Sequence, residues 1–270
     1  MNKAIIVDHL SKEDLLHNIS FTIQSGEFVG LIANDEKSRK ALFQVISGLV
    51  KPSSGFVSVL GFDPYIKSSE FLKQLLCIDS LFSLTNDLAP INMLEITKSV
   101  YNLSSREFNR NLSELTQYIK NPILLDSLIY KPKVILLNNV NVDIDLIYEY
   151  NKNNESAVLI SSNTIDNLVG QVRRIIIIDE GRLLYDGAID EIVTKYAKEK
   201  IIKAKLSTAV DPKKVAEIGE VRKYVHPYIY VQSPRDVSSF TAAELIQNFP
   251  VTSLTIEEIS IEDIITNIKK

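Results

Sequence analysis

Short runs of apolar, mostly β-branched residues recur along the chain, and helical patterns lie between them. Runs such as Ile175–Ile178 contain no polar residue, which is typical of strands buried on both faces of a parallel sheet. Such strands alternating with helices predict an α/β fold. The predicted strands are Ala4–Val7, Ser20–Ile23, Glu27–Ala33, Phe56–Leu60, Val134–Leu137, Ala157–Ser161 and Arg174–Ile178.

The chain has 270 residues, which is near the upper size of a single core. The block between Ser68 and Tyr130 is mostly helical in pattern and contains no glycine, so we expect a helical subdomain at about 68–130. After about Lys200 three short strand patterns alternate with three helical ones. The sequence therefore predicts a main domain over 1–199 and a small α+β appendage over 200–270.

Composition narrows the classes of partner. The net charge of −4 gives no general attraction to nucleic acid, so no nucleic-acid partner is expected. The longest apolar runs are far shorter than the ~18 residues of a membrane-spanning helix. Work at a membrane would therefore require another chain. The three histidines are not grouped at ligand spacing, so no metal site is expected.

The segment after the strand Glu27–Ala33 is the first candidate site. A polar turn leads into a helical pattern that ends before Gly48, and this arrangement resembles the phosphate loop of ABC ATPases. In that family glycines let backbone N–H groups surround the phosphates, a lysine binds the terminal phosphates, and a Ser or Thr holds magnesium. The resemblance places Ser38, Arg39 and Lys40 at the last three of these positions, and we predict a residual phosphate site there.

Two alternatives remain open for this turn. A plain strand–turn–helix connection without a ligand is the simpler interpretation. Shifting the register by two residues instead gives a Lys37-Ser38 pair, although the helix then falls out of step with the family pattern.

The second candidate site follows Val134–Leu137. The run resembles the second nucleotide motif of ABC ATPases, in which an apolar strand ends in Asp-Glu, but here the two residues are Asn138 and Asn139. An amide cannot accept a proton or give anionic charge to a metal. Asn163 likewise stands where the family has a histidine that senses the terminal phosphate. The glycine-containing signature motif has no counterpart, and these differences predict a pseudo-ATPase rather than an enzyme.

The resemblance covers about residues 1–198 and includes the hairpin Arg174–Gly187. It implies a P-loop NTPase-like ABC ATPase core. The tail from Ile256 to Thr266 is similar to the C-terminal extension of drug- and peptide-export ABC ATPases, so the export type is predicted.

These features together predict a catalytically inactive ABC transporter subunit with a structural or regulatory role. The resemblance implies a membrane-spanning permease and a second ABC ATPase or a second copy as partners, at the inner face of a bacterial cell membrane. No cofactor is expected, with ATP bound without hydrolysis as the alternative. Two other functions stay open: slow hydrolysis that uses Lys37 and Ser38, and a non-transport scaffold or sensor.

Overall fold

The computed structural model describes residues 2–79, 90–140, 142–162, 168, 170–196, 198–259, 264 and 268. Its contacts divide the chain into two compact units, Met1–Gly187 and Ala188–Lys270. The sequence predicted the boundary between the two domains near residue 200, whereas the contacts assign the helix Ile189–Tyr196 to the second unit. No helix in the described part of the chain is long and apolar enough to cross a membrane.

The first unit is built on a six-stranded sheet. Its strands are β3 (Phe28–Ala33), β5 (Leu75–Asp79), β6 (Val134–Asn138), β7 (Ala157–Ser161), β8 (Arg174–Asp179) and β9 (Arg182–Ala188). The order is β5-β6-β7-β3-β8-β9, and the strands from β5 to β8 pair in parallel. Every residue of β3, β6 and β7 is buried, which explains the unbroken apolar runs in the sequence.

A second sheet of the same unit is antiparallel and has the order β2-β1-β4. Its strands are β1 (Lys3–Lys12), β2 (Leu16–Gln24) and β4 (Ser54–Val59). Ile5 pairs with Ile23 on one side and with Val59 on the other, and all three are buried. Their side chains join the same apolar core as those of β3 and β6.

Six helices are described in the first unit. They are α1 (Glu36–Ile46), α2 (Ser69–Leu72), α3 (Pro90–Val100), α4 (Ser105–Leu115), α5 (Pro122–Leu128) and α6 (Ile144–Asn154). Gly48 follows α1 with φ +75°, and the N–H of Leu49 donates to the carbonyl of Gln44 at 2.8 Å. A side chain at Gly48 would place its Cβ 2.0 Å from the carbonyl oxygen of Pro64, so glycine is required there.

One element differs from the sequence prediction. The block between Ser68 and Tyr130 was predicted to be mostly helical, but α2 ends at Leu72 and β5 begins at Leu75. Leu75 and Leu76 pair with β6 and are buried. Burial in the sheet outweighs the local helical spacing.

The second unit begins with α7 (Ile189–Tyr196) and continues as an alternating α+β arrangement. Its other elements are β10 (Glu199–Leu206), α8 (Pro212–Val215), β11 (Glu220–Val225), β12 (Tyr228–Pro234), α9 (Ser238–Asn248) and β13 (Val251–Glu258). The strands form an antiparallel sheet of order β11-β12-β10-β13. Ile202, Val231 and Leu245 lie in its core.

Candidate functional site

Polar residues end several of the parallel strands of the first unit. β5 ends in Asp79, β6 in Asn138, β7 in Ser161 and β8 in Asp179. Because parallel strands bring their carboxyl ends to one edge of the sheet, these four residues lie along that edge. Ligands of open α/β sheets bind there. The same edge receives the start of α1.

The start of α1 is fixed by Asp35. Its carboxylate accepts a hydrogen bond from the backbone N–H of Ser38 at 2.6 Å, as an N-cap residue does. The helix therefore begins at Glu36. Only Asn34 and Asp35 remain between β3 and α1, and the cap satisfies one of the N–H groups that a helix start leaves free.

The three predicted phosphate residues occupy different environments. Ser38 is buried, and its hydroxyl donates to the carbonyl of Leu15 at 2.8 Å, in the turn between β1 and β2. Arg39 is buried and contacts β6, whereas Lys40 is half-buried and lines a cavity. Lys37, the alternative phosphate residue, is exposed. The start of α1 thus carries three cations of different accessibility, the buried Arg39, the half-buried Lys40 and the exposed Lys37.

Asn138 is the centre of a buried polar network. Its side-chain oxygen accepts from the Nε of Arg39 at 3.0 Å and from the hydroxyl of Ser161 at 3.0 Å. Its side-chain nitrogen donates to a carboxylate oxygen of Asp79 at 3.0 Å. Asn138 is only 3% exposed and Arg39 only 5%. One amide therefore links a guanidinium on α1 with a carboxylate on β5.

Asn139 contributes through its backbone. Its N–H donates to the hydroxyl of Ser161 at 2.8 Å, and its φ of +51° lies in the left-handed region, which asparagine tolerates. The two asparagines predicted as a site are thus tied to β7 through Ser161. Asn163, the third of these predicted positions, lies outside the described residues.

Sequence reasoning missed three members of this edge. Ser161 bridges β6 and β7, Asp35 caps α1, and Asp179 accepts from the side chain of Asn34 at 3.2 Å. Ser161 and Asp179 each come directly after a buried apolar run, and this spacing is a signal that could have identified them. Asp35 could have been recognised as an N-cap residue.

A cavity of about 740 Å³ lies beside α1 and β5. Residues of α1, α2 and β5 form most of its wall, and the ring of Tyr101 stacks on that of Tyr130 with centroids 3.7 Å apart. Its lining includes Lys40, Phe43, Leu49, Leu72, Lys73, Leu75, Cys77, Asp79, Val100, Tyr101 and Tyr130. Asp79 also belongs to the network around Asn138, and Lys40 is one of the predicted phosphate residues, so the cavity and the strand-end site share two residues.

The thiol of Cys77, which lines this cavity, has a raised pKa. Burial raises the pKa to about 11. A hydrogen bond with Ser47 lowers it by less than burial raises it, and the nearby carboxylate of Asp79 raises it further. The thiol therefore stays neutral at physiological pH.

The chain is similar in sequence to ATP-binding proteins of ABC transporters. An uncharacterized ABC transporter ATP-binding protein of Methanocaldococcus jannaschii is 22% identical over 73% of this chain and 82% of the relative. The ABC transporter ATP-binding protein NatA of Bacillus subtilis is 22% identical over 66% of this chain and 83% of the relative. No protein-family model matches the chain.

Solved structures show the same fold. An ATP-binding subunit of an ABC transporter has a TM-score of 0.62 at 18% identity, and covers 72% of this chain and 93% of its own. A second structure, cbiO1 from Clostridium perfringens, is described as part of the ABC transporter complex cbiONQ. It has a TM-score of 0.57 at 17% identity, and covers 72% of this chain and 92% of its own.

These comparisons correct one prediction. The sequence was interpreted as a pseudo-ATPase and not an enzyme, but the relatives and structural neighbours are ABC ATPases, which typically hydrolyse ATP. The amides at Asn138 and Asn139 do not outweigh that similarity. The described α/β fold matches that of the ATP-binding subunits of ABC transporters, and the chain is similar in sequence to ATP-binding proteins of such transporters.

Proposed function

We propose that the chain is the ATP-binding subunit of an export-type bacterial transporter, and that it acts at the cytoplasmic face of the membrane with a membrane-spanning permease. The observation that carries the proposal is the pair of cations at the start of α1. Arg39 and Lys40 lie at the edge of the sheet where ligands of parallel α/β folds bind.

The phosphate groups of ATP are the proposed ligand of this edge, with Ser38, Arg39 and Lys40 as the binding residues. Lys40 is half-buried, so its ammonium group is the accessible one and makes the direct contact. Arg39 adds a second positive charge, which is permanent because a guanidinium stays protonated in proteins. Charge-assisted hydrogen bonds to phosphate are about twice as strong as neutral ones.

The cavity beside α1 is the proposed docking site for the permease. Leu49, Leu72 and Val100 line it and are between 45% and 64% exposed, which is unusual for large apolar side chains. A cytoplasmic amphipathic helix of the permease would bury them, as helices do in apolar grooves. Asp79 and Lys40 lie in this wall and also belong to the strand-end site, so the two proposed sites overlap at these residues.

The other proposed partner is a second ABC ATPase subunit or a second copy of this chain. Asp145 is exposed and accepts from the side chain of Gln171 at 2.6 Å. By resemblance it stands where ABC ATPases have the aspartate of a loop that contacts the opposite subunit. In this chain it lies in the first turn of α6, and we propose the same role here.

Nucleotide binding is tested by titrating the purified protein with Mg-ATP in a calorimeter, with phosphate release assayed on the same sample. We expect Lys40→Ala to weaken binding at least about tenfold, the value of one lost charge-assisted contact. The matched control is Lys152→Ala, which removes the same charge from an exposed position on α6. Equal affinities for both variants would contradict the assignment of the site.

Docking is tested by recovering the tagged chain from solubilised membranes of the source cell. Leu72→Asp should reduce the recovery of a membrane-spanning partner, because it places a charge in the cavity wall. Ile66→Asp is the control, since Ile66 is also exposed, at 72%, but does not line the cavity. Recovery that is equally reduced or equally retained in the two variants would refute the cavity as the docking site.

A further inference from the structure

The donors at the strand-end site do not suit a magnesium ion. The ABC ATPase fold implies magnesium beside the nucleotide, held by a hydroxyl of the phosphate loop and, through water, by an aspartate. By resemblance these positions are Lys40 and Asn138 in this chain. Magnesium takes oxygen ligands in octahedral geometry and favours carboxylates. An ammonium group has no lone pair to give, so Lys40 cannot be a ligand.

Asn138 is already fully used by the protein. A carbonyl oxygen of an amide has two lone pairs, and here they accept from the Nε of Arg39 and from the hydroxyl of Ser161. The amide nitrogen, as a donor, is directed to Asp79. The only oxygen that this side chain could offer to a metal is thus engaged.

Arg39 adds an electrostatic obstacle. Its Nε lies 3.0 Å from the oxygen of Asn138, and the side chain is buried, so its charge is weakly screened. The charge of Arg39 repels a divalent cation and attracts the phosphate groups of a nucleotide, and it opposes the effect of the carboxylates at this edge.

Three carboxylates at this edge argue for a cation, and each is already engaged in part. Asp79 accepts from the side chain of Asn138, and Asp179 accepts from that of Asn34. The Oδ2 of Asp35 is buried and finds no hydrogen-bond partner among the described residues, but its Oδ1 is held by the N–H of Ser38. These partly engaged oxygens do not make up the octahedral donor set that magnesium requires.

We infer that the strand-end site binds the phosphate groups of a nucleotide as the metal-free anion, with Arg39 and Lys40 supplying the positive charge that magnesium supplies in related ATPases. The inference rests on the proposed nucleotide binding and specifies the form of the ligand. Free ATP carries two more negative charges than its magnesium complex, so the two cations should favour the free form.

The experiment is calorimetric titration of the full chain with ATP, once in buffer with EDTA and once with excess Mg²⁺. We expect binding in EDTA and a Kd that is unchanged or several-fold higher with Mg²⁺. A Kd at least tenfold lower with Mg²⁺ would overturn the inference and leave nucleotide binding intact. Binding in neither buffer would refute the proposed function and this inference with it.

Two variants sharpen the test. Lys40→Ser combined with Asn138→Asp restores both magnesium positions of the family, and this double variant should bind ATP more tightly with Mg²⁺ than with EDTA. Lys40→Ser alone, at a half-buried position, should lose affinity for free ATP even if the double variant does not fold. Lys152→Ser, the control for lost charge, should behave like the parent chain. Unchanged binding of free ATP by Lys40→Ser would overturn the inference.

Discussion

The Nε of Arg39 donates to the side-chain oxygen of Asn138 at 3.0 Å, and this bond joins residues that lie 99 positions apart in the sequence. Both side chains are buried. The bond holds the first turn of α1 against the end of β6, and it determines which charges a ligand at this edge would meet.

Replacing the amide of Asn138 should destabilise the first unit. Asn138→Leu keeps the size of the side chain but leaves Arg39 and Asp79 without this partner. Hydrogen bonds to charged groups contribute about 1.5–3 kcal/mol, so we expect a loss in that range or above. Urea denaturation followed by circular dichroism measures it. The control Asn109→Leu, at an exposed position of α4, should change the free energy of unfolding by less than about 0.5 kcal/mol.

The cap of α1 should affect both stability and ligand binding. Asp35→Ala removes the bond to the N–H of Ser38 and should cost about 1 kcal/mol of unfolding free energy. It also removes an anion from the proposed phosphate site, so the Kd for ATP should fall. Asp143→Ala, which removes the equivalent cap of α6, should cost a similar free energy without changing the Kd. A fall in Kd in both variants would show that the effect is not local to α1.

Replacing Arg174 by lysine should lower the stability of the first unit. Its guanidinium donates to both carboxylate oxygens of Asp186, to Glu27 and to the carbonyl of Thr22, at 2.6–2.8 Å. These bonds, that to Asp186 foremost, raise the pKa of Arg174 above its usual value. Lysine cannot reproduce the planar fork, and Arg174→Lys should cost roughly 1–3 kcal/mol in urea denaturation.

The neighbouring Arg173 provides the control for that prediction, because it is exposed. Arg173→Lys should leave the unfolding midpoint unchanged. Equal effects of the two substitutions would mean that the fork geometry contributes nothing to stability.

Alanine substitutions at Gly48 and Gly61 distinguish the energetic cost of backbone strain from that of steric overlap. Both have positive φ, +75° and +85°, but an added Cβ meets the carbonyl oxygen of Pro64 at 2.0 Å only at Gly48, with nothing within 4 Å at Gly61. Gly61→Ala should cost about 1–2 kcal/mol from the left-handed conformation alone. Gly48→Ala should cost clearly more, measured as the difference in unfolding free energy. Equal costs would contradict the tight packing of the 3₁₀ turn Pro64–Ile66 on the end of α1.

The rate at which the Cys77 thiol is alkylated should show whether the cavity is covered. Its thiol has a pKa of about 11, so at pH 9 alkylation by iodoacetamide should be slower in the folded chain than in urea. A bound permease should slow the alkylation further.

The raised pKa of Cys77 also stabilises the fold below the ordinary thiol pKa of 9.0, and that contribution is lost as pH rises towards 11. The free energy of unfolding of the parent chain, compared with that of Cys77→Ala across this pH range, gives the contribution of the thiol.

The sequence predicted the strands of the sheet well, because a parallel sheet needs unbroken apolar runs such as Ile175–Ile178. The signal for β5 was ambiguous, since Phe71, Leu72, Leu75 and Leu76 also have the spacing of a helix face. Local spacing cannot show that these residues pair with β6.

Only part of the candidate site could be addressed from the sequence. Ser38, Arg39 and Lys40 were named from the resemblance to the phosphate loop of ABC ATPases, and their role stays a prediction. The partners of Arg39 depend on how α1 packs against β6, which spacing does not show. The prediction of lost catalysis was wrong because it weighed single positions such as Asn138 above the similarity of the whole chain to ABC ATPases.

The place of β3 in the sheet has a consequence for biosynthesis. Among the residues that the structure describes, 28–33 pair only with 158–161 and 174–178, which the ribosome makes much later. Until then the most apolar strand of the amino-terminal half has neither of its sheet neighbours. The nascent chain must therefore carry an unpaired, aggregation-prone strand through most of its synthesis, and chaperone contact during translation should centre on β3.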